Sequence, residues 1–277
     1  MGIENQTNGY MVMDHSTWLQ KVNAAVNSAV AACFCNSQIG GWNENHITTQ
    51  VLDALQQVGT ELAWTDQAQK IRWEGYKLTG VQETNFGDIA LIVRVWLTSQ
   101  EYIDGVAYYE AKRQFFNDKG APVGFTSIDA AQLSRIGAST HASHLLLYDV
   151  DQPKGQVSIT AVPTRFAEEL AKGVLARASG RVMHRYGQQW IMALGNNFRG
   201  FGLDFSTAAV NAIRSMSKSV HAPFALLNVA IGMMNVPEPQ LDQYCKSLEN
   251  YQCSWGIAST PPAEDEIVSR TDGFLHP

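Results

Sequence analysis

The sequence predicts an α/β fold in which helices flank a mixed central sheet, followed by a mostly helical C-terminal part. The continuous apolar run at residues 89–93 and the mostly apolar segment at residues 144–150 are typical of strands that are buried on both faces. Residues 44–58 instead have the apolar spacing of three and four that indicates an amphipathic helix. The apolar positions with this spacing are Ile47, Val51, Leu52, Leu55 and Val58.

Taken in order, the predicted elements divide the chain into four parts. We expect an N-terminal helical segment (residues 1–36), a core (37–180), a helical C-terminal part (181–258) and a mobile acidic tail (259–277). Further helices are expected at residues 16–34, 127–136 with Thr126 or Ser127 as the N-cap, 163–175, 206–216 and 222–234. Further strands are expected within residues 61–78 and at residues 109–112 and 156–162.

The composition indicates a globular chain with a well-buried core, because 45% of the 277 residues are hydrophobic and 17% are charged. The sequence contains no uninterrupted apolar run of about 18 residues. Its N-terminus lacks the basic and apolar regions of a secretory signal. These features predict a cytoplasmic protein that does not engage a membrane. The cysteines lack the spacing of a structural zinc site, which predicts reduced thiols; they are Cys33, Cys35, Cys245 and Cys253.

An acidic residue, Asp88, opens one predicted strand, and a Glu-x-Lys sequence, Glu110 to Lys112, lies near the end of the next. Because side chains alternate along a strand, Glu110 and Lys112 project from the same face. Asp104 and Gly105 lie between the two strands, and Asp-Gly is a strong signal for the turn of a hairpin. A hairpin brings two carboxylates and one ammonium together, and carboxylate oxygens suit a hard cation such as Mg²⁺.

This arrangement resembles the PD-(D/E)xK nuclease superfamily, which has the restriction-endonuclease-like fold. Strand, hairpin, Glu-x-Lys strand, helix and strand follow one another in the same order in the resembled core. The resemblance implies that Asp88, Glu110 and the carbonyl of Ala111 bind Mg²⁺ or Mn²⁺, and that Lys112 assists hydrolysis of a phosphodiester. Gly87 stands where the name of the family has proline. Many members work as dimers, so the resemblance also implies a homodimer.

Two flanking residues extend the resemblance. Glu44 starts the helix at residues 44–58, on the edge of its apolar side, and a first-helix glutamate often completes the metal site of the family. The alternative is that Glu44 only complements the helix dipole. Gln132 matches a glutamine that several branches carry near the phosphate or the base, and Arg135 lies one turn away. The alternative is that Gln132 and Arg135 are ordinary surface residues; Gln114 is a weaker candidate for the same role.

Basic residues are concentrated between residues 165 and 218, although the chain as a whole has a net charge of −6. This segment contains eight basic and three acidic residues, so its own net charge is +5. Arg177, Arg181 and Arg185 repeat every four residues, so a helix would place them on one face. A row of guanidinium groups suits contacts with phosphate and predicts nucleic-acid binding. A solvated helix face, or a surface for an acidic partner, is the alternative.

These observations predict a metal-dependent nuclease with Asp88, Glu110, Lys112, Glu44 and Gln132 as its catalytic residues. DNA is the expected substrate, and the resemblance suggests an effector subunit of a bacterial anti-phage defence system, paired with a partner NTPase or helicase. The first alternative is a catalytically silent subunit that binds nucleic acid or serves as a scaffold for that partner. The second is an unrelated α/β enzyme in which the Glu-x-Lys match is accidental.

Overall fold

A large mixed sheet forms the centre of the molecule. The computed structural model describes residues 6–7, 9–80, 88–151, 154–172, 178–235 and 237–256. The strands are β1 (Gln6–Thr7), β2 (Tyr10–Met13), β3 (Glu61–Trp64), β4 (Gln69–Leu78), β5 (Ile89–Trp96), β6 (Tyr102–Arg113), β7 (Phe115–Phe116), β8 (Pro122–Gly124), β9 (Ser143–Asp151), β10 (Gln156–Pro163), β11 (Gln188–Gln189), β12 (Ala225–Met233) and β13 (Tyr251–Trp255). The helices are α1 (His15–Cys35), α2 (Glu44–Gln57), α3 (Ala130–Ser139), α4 (Thr164–Ala171), α5 (Trp190–Asn197) and α6 (Thr207–Met216).

The strands are arranged in the order β1-β2-β3-β4-β12-β5-β6-β9-β10-β11, and β13 pairs with β4 beside β3. Three pairs are parallel, namely β2 with β3, β12 with β5, and β6 with β9. The other pairs of this sheet are antiparallel. Strands β7 and β8 form a separate two-stranded ribbon. The predicted α/β class, with a mixed central sheet flanked by helices, is therefore confirmed.

Helices cover both faces of the sheet, and the alternation of side chains along β5 separates the two layers. Ile89, Leu91 and Val93 pack in one core with residues of α1, α2 and α5. Ala90 and Ile92 pack in a second core with residues of α3 and α6. Helix α4 contacts α3, β9 and β10 on this second side. Among the described helices, none combines the length and the apolar character that crossing a membrane requires.

The hairpin between β5 and β6 is confirmed, but the prediction that Asp104 and Gly105 form its turn is wrong. The chain turns at residues 97–101, where the amide of Leu97 donates to the carbonyl of Glu101 at 2.8 Å. Asp104 lies within β6 and accepts from Arg94 Nε at 2.8 Å. At Gly105, a side chain would meet the ring of Phe205, since an added Cβ would lie 2.8 Å from it. The glycine therefore permits close packing and makes no turn.

The helix at residues 127–136 is confirmed with a shifted start. Helix α3 begins at Ala130, and its N-cap is Asp129, whose side chain accepts from the amide of Gln132 at 2.9 Å. The prediction of Thr126 or Ser127 as the N-cap is therefore wrong. An aspartate caps a helix as well as a serine or threonine does, so the local sequence allowed either choice.

The predicted helix at residues 222–234 is instead a strand, β12. The prediction of a mostly helical C-terminal part is wrong for this segment. Strand β12 lies between β4 and β5 at the centre of the sheet. Eight of its nine residues are buried, because both faces of the strand are covered. Such a strand is apolar throughout, and periodicity alone does not separate it from a buried helix. The predicted tail at residues 259–277 lies outside the described residues.

We expect Leu227→Ala in β12 to lower the free energy of unfolding by about 2–5 kcal/mol, because it removes a fully buried side chain and leaves a cavity. Val220→Ala is the matched control, since Val220 is 71% exposed and its truncation changes stability by no more than about 0.5 kcal/mol. Urea unfolding followed by circular dichroism measures both variants. Equal effects at the two positions would contradict a central, buried β12.

Candidate active site

The pairing of β5 with β6 brings the predicted acidic residues together. Ile89 lies opposite Tyr109 in this antiparallel pair, so Asp88 lies opposite Glu110. The backbone carbonyl of Asp88 accepts from the amide of Ala225 at 2.9 Å. Asp88 therefore lies between β6 on one side and the start of β12 on the other. Its place beside β6 is the one that the predicted hairpin required.

Asp88 is oriented by two donors on β6. The hydroxyl of Tyr108 donates to Asp88 Oδ2 at 3.0 Å, and the amide of Ala111 donates to Oδ1 at 3.1 Å. Asp88 is 6% exposed and Tyr108 is 2% exposed. Both carboxylate oxygens of Asp88 are therefore held in place by groups that are themselves fixed by the sheet.

Glu110 and Lys112 form a buried ion pair on the face of β6 that carries α3. Lys112 Nζ lies 2.6 Å from Glu110 Oε1, and the side chains are 1% and 0% exposed. Gln132 Nε2, from α3, donates to the same oxygen. The other oxygen of Glu110, Oε2, is buried without a hydrogen-bond partner. Glu110 thus has one oxygen with two donors and one oxygen without a geometric partner, and its carboxyl group lies close enough to that of Asp88 for the two to share a proton.

Glu44 approaches the same end of β6 from the opposite helical layer. It is the first residue of α2, after the N-cap Asn43, and its carboxylate accepts from the amide of Arg113 at 3.2 Å. The hydroxyl of Ser127 donates to the same oxygen at 3.2 Å. Glu44 is buried, so it does more than complement the dipole of α2: it also ties α2 to the end of the Glu-x-Lys strand.

Burial and the neighbouring charged groups shift the pKa values of these residues. Burial raises the pKa of Glu110 well above its usual value, and the Asp88 carboxylate raises it further. Burial also raises the pKa of Asp88 and of Glu44, against the opposing effect of Lys112. Burial lowers the pKa of Lys112, but Glu110, Asp88 and Glu44 outweigh it and leave that pKa raised. One ammonium among three carboxyl groups favours the uptake of positive charge, as a proton or as a metal cation.

The donor set available for a metal is a pair of carboxylates. Among residues in the described ranges, no group of three or more His, Cys, Asp or Glu side chains is arranged to hold a metal ion. Asp88 and Glu110 supply carboxylate oxygens, which Mg²⁺ and Mn²⁺ accept as ligands. Glu110 Oε2 is buried without a hydrogen-bond partner, and such an atom is destabilising unless a donor or a cation satisfies it. The pair therefore fits a divalent cation.

The arginines predicted to bind nucleic acid do not form the expected row on one helix. Residues 181–186 form a 3₁₀ helix, in which residues three apart are aligned, so Arg181 and Arg185 do not share a face. Arg181 Nη2 pairs with Asp149 Oδ2 on β9 at 3.1 Å, whereas Arg185 is exposed. Arg177 lies outside the described residues. Arg135 is exposed on α3, one turn from Gln132, so it is the predicted arginine nearest along the chain to the candidate site.

Two further residues belong to the site, and sequence reasoning did not assign them to it. Tyr108 holds Asp88, and Ser127 holds Glu44. The alternation of strand residues carried a signal for Tyr108, which lies two positions before Glu110 on the same face. Ser127 had no such signal, since it reaches Glu44 across 83 positions of the chain. Gln114, the residue after β6, is buried with Oε1 unpartnered and remains a weaker candidate.

The raised pKa of Glu110 predicts a pH-dependent effect of Glu110→Gln. A group whose pKa is higher in the folded protein than in the unfolded chain stabilises the fold below the unfolded pKa, and this contribution is lost as the pH rises through the folded pKa. Glutamine does not titrate, so the stability of Glu110→Gln relative to the unsubstituted protein should increase as the pH is raised from about 5 to about 9.

Urea unfolding in EDTA at a series of pH values measures this difference. Glu169→Gln is the control, because it makes the same chemical change in a side chain that is 68% exposed. A difference for Glu110→Gln that stays flat or shrinks toward high pH would contradict the raised pKa of Glu110, which burial causes together with the Asp88 carboxylate.

No family model, curated protein or solved structure matches this chain. The resemblance to the PD-(D/E)xK superfamily therefore depends on the residues and on their arrangement. Asp88, Glu110, Lys112, Glu44 and Gln132 meet at one end of β6. An assignment of function has to be argued from the chemistry of that cluster.

Proposed function

We propose that this chain is a metal-dependent nuclease that hydrolyses phosphodiester bonds of nucleic acid, with DNA as the expected substrate. One observation carries the proposal: a buried, unpartnered carboxylate oxygen of Glu110 lies in a cluster with Asp88 and the Lys112 ammonium. Two carboxylates can hold a divalent cation and a lysine can stabilise developing negative charge, which suits phosphodiester hydrolysis. The effector role in an anti-phage system, with a partner NTPase or helicase, remains a prediction from the resemblance.

Charge supports Asp88 and Glu110 as the residues that would hold Mg²⁺ or Mn²⁺. The Asp88 carboxylate raises the electrostatic cost of ionising Glu110, and a bound cation removes that cost. The carbonyl of Ala111 and the carboxylate of Glu44 are the further ligands that the resemblance implies. Because Glu44 Oε1 already accepts from Arg113 and Ser127, Oε2 is the atom through which Glu44 would take part.

The side chains of the cluster suit distinct roles in hydrolysis. A bound divalent cation supplies a water of lowered pKa that serves as the nucleophile near neutral pH. Lys112 orients the attacking water or offsets the negative charge that develops on the phosphate oxygens. Tyr108 and the amide of Ala111 keep Asp88 oriented, and Gln132 holds Glu110 from α3. Water adds to phosphorus, one P–O bond breaks, and the departing oxygen takes up a proton.

The order of elements supports a restriction-endonuclease-like core. Strand β5 begins directly after Asp88, β6 carries Glu110 and Lys112, α3 follows, and β9 returns parallel to β6. This is the order that the resemblance led us to expect. Strand β12 is an addition from the C-terminal part, and it lies between β4 and β5.

A second candidate function is a catalytically silent subunit that binds nucleic acid or a partner ATPase. The burial of the cluster favours it, since Asp88 and Glu44 are each 6% exposed and Glu110 is 0% exposed. Lys112 is also engaged by Glu110 at 2.6 Å. In such a subunit the cluster would serve only to join the two helical layers to the sheet. The two candidates differ in whether the protein binds a divalent cation and cleaves nucleic acid.

Removal of either charged residue of the Glu-x-Lys sequence tests catalysis. Glu110→Gln and Lys112→Ala are each expected to lower the rate of cleavage by roughly 100- to 1,000-fold, because each removes a group that stabilises the transition state. Plasmid, linear duplex and single-stranded DNA and RNA are incubated with the protein in Mg²⁺, Mn²⁺ or EDTA, and products are resolved on gels.

Glu74→Gln is the matched control for that assay. Glu74 is a half-buried glutamate on β4 that accepts from Tyr76 and pairs with Lys246, so its loss removes a similar carboxylate outside the cluster. Its cleavage rate should stay within about twofold of the unsubstituted protein. Cleavage that persists in both Glu110→Gln and Lys112→Ala would refute the assignment.

Binding of a divalent cation predicts a thermal shift that is independent of turnover. Millimolar Mg²⁺ or Mn²⁺ should raise the melting temperature, since a ligand that binds only the folded state stabilises it. The shift should disappear in Asp88→Asn and in Glu110→Gln, and remain in Glu74→Gln. Differential scanning calorimetry measures it, and an unchanged melting temperature over the whole titration would favour the silent subunit.

A further inference from the structure

Arg113 places a second cation at the end of the strand that carries the carboxylate cluster. It is the last residue of β6 and directly follows Lys112. Because side chains alternate along a strand, Arg113 shares the face of Tyr109 and Ala111, which pack in the core with α1 and α2. Lys112 projects from the opposite face, toward α3. The two cations therefore flank the end of β6, one on each side of the sheet.

Glu44 connects Arg113 to the cluster. The backbone amide of Arg113 donates to Glu44 Oε1 at 3.2 Å. The Glu44 carboxylate also acts on the side chain, since its charge raises the pKa of the Arg113 guanidinium. The same carboxylate interacts with Lys112. The guanidinium therefore lies close to one of the carboxylates that would hold the metal ion.

The Arg113 guanidinium has an aromatic neighbour but no acceptor. Its central carbon lies 4.0 Å from the centre of the Phe115 ring. Within the part of the chain that the structure describes, no oxygen accepts a hydrogen bond from this guanidinium. An aromatic ring contacts the flat face of a guanidinium and leaves the N–H groups, which lie in its plane, available for an acceptor.

The other half-buried arginines of the described ranges each have an acceptor. These pairs are Arg72 with Glu238, Arg94 with Asp104, Arg181 with Asp149, Arg199 with Gln67, and Arg214 with Asp242. Arg113 is half-buried as well, and burial lowers its pKa more than Glu44 raises it. A cation whose surroundings do not compensate its burial is a candidate for binding an anion.

The anion that fits Arg113 best is a phosphate. The planar fork of a guanidinium matches two phosphate oxygens at once, and such paired hydrogen bonds are among the strong ones in proteins. Contact with Phe115 holds the fork in place, so less side-chain freedom is lost when a phosphate binds. Lys112 is engaged by Glu110 at 2.6 Å. Arg113 is therefore the better placed of the two cations to bind the backbone of a nucleic acid.

We propose that Arg113 binds a phosphate of the nucleic-acid backbone, next to the phosphate that the cluster cleaves. The bound strand crosses the end of β6 from the α3 side to the α2 side. This inference rests on the proposed function for the cleavage step, but the phosphate contact does not depend on cleavage. Phosphates carry no sequence information, so Arg113 contributes affinity and register without preference for a base.

Arg113→Gln tests the contact, with Arg199→Gln as its matched control. Arg199 is half-buried too, and its guanidinium carbon lies 5.1 Å from the centre of the Phe201 ring. Its acceptor is the neutral amide of Gln67. Both substitutions change the net charge equally, so a general electrostatic effect would appear in both. Arg113→Gln should weaken binding by on the order of 10-fold, as expected for loss of hydrogen bonds to a charged phosphate.

The salt dependence of binding shows whether the lost contact is one with phosphate. Fluorescence anisotropy with labelled single-stranded and duplex DNA oligonucleotides in EDTA gives the Kd over a series of salt concentrations. In Arg113→Gln the slope of log Kd against log salt should fall by about 0.9 for duplex or about 0.7 for single strands, as expected for one phosphate contact. Arg113→Lys should keep the slope and weaken binding less, because it retains the charge but not the planar fork.

Three results would overturn the inference. They are an unchanged slope in Arg113→Gln, equal weakening in Arg113→Gln and Arg199→Gln, and absence of DNA binding by the unsubstituted protein. The expected result for Arg199→Gln is an affinity within about twofold of the unsubstituted protein. Circular dichroism shows whether each variant is folded.

Cleavage kinetics separate failure of this inference from failure of the proposed function. Arg113→Gln should raise KM and leave kcat within about twofold, because a contact outside the reacting phosphate is made equally in the ground state and the transition state. Cleavage that requires Glu110 but has an unchanged KM in Arg113→Gln would leave the nuclease in place and refute the phosphate contact. Binding that requires Arg113 without any metal-dependent cleavage would retain the contact and favour the silent subunit.

Discussion

The ion pair between Lys112 and Glu110 is the interaction around which the rest of the site is arranged. A lysine that is 1% exposed is stable in its charged form only with nearby negative groups. Asp88 and Glu44 provide further negative charge and raise the pKa of Lys112 together with Glu110. Asp88 depends on the pairing of β5 with β6, and Glu44 depends on the approach of α2 to the end of β6. The buried ammonium therefore links the central hairpin to a helical layer, while Gln132 attaches the other layer through α3.

The same arrangement leaves the cluster with an excess of negative charge. Burial disfavours ionised carboxyl groups, and two of them, Asp88 and Glu110, lie close enough for each to affect the pKa of the other. Such an arrangement lowers the stability of the protein when no cation or proton is bound, and functional sites commonly retain groups of this kind. An apolar cluster would join the layers at a lower cost. The three carboxyl groups around one ammonium therefore support the proposal that the cluster binds a cation.

The position of β12 matters for the proposed catalytic site. The amide of Ala225 in β12 donates to the carbonyl of Asp88. A segment near the C-terminal end of the described chain therefore supports the residue that opens β5. Arg214 adds a second connection, because it contacts Asp104 on β6 and Asp242 after β12. Substitutions in this part of the chain can alter the site without any contact with the reacting groups.

The sequence by itself determined the elements whose signals are local. The period of two placed Glu110 and Lys112 on one face, and the apolar spacing in residues 44–58 identified α2 with Glu44 at its start. Only the tertiary structure decided that residues 225–233 form a strand inside the sheet, that Asp104 pairs with Arg94, and that Arg181 is engaged by Asp149. It also brought Tyr108 to Asp88 and Ser127 to Glu44. These features depend on contacts between distant parts of the chain. The local sequence around a buried apolar run or a single charged residue does not indicate which distant residue it will contact.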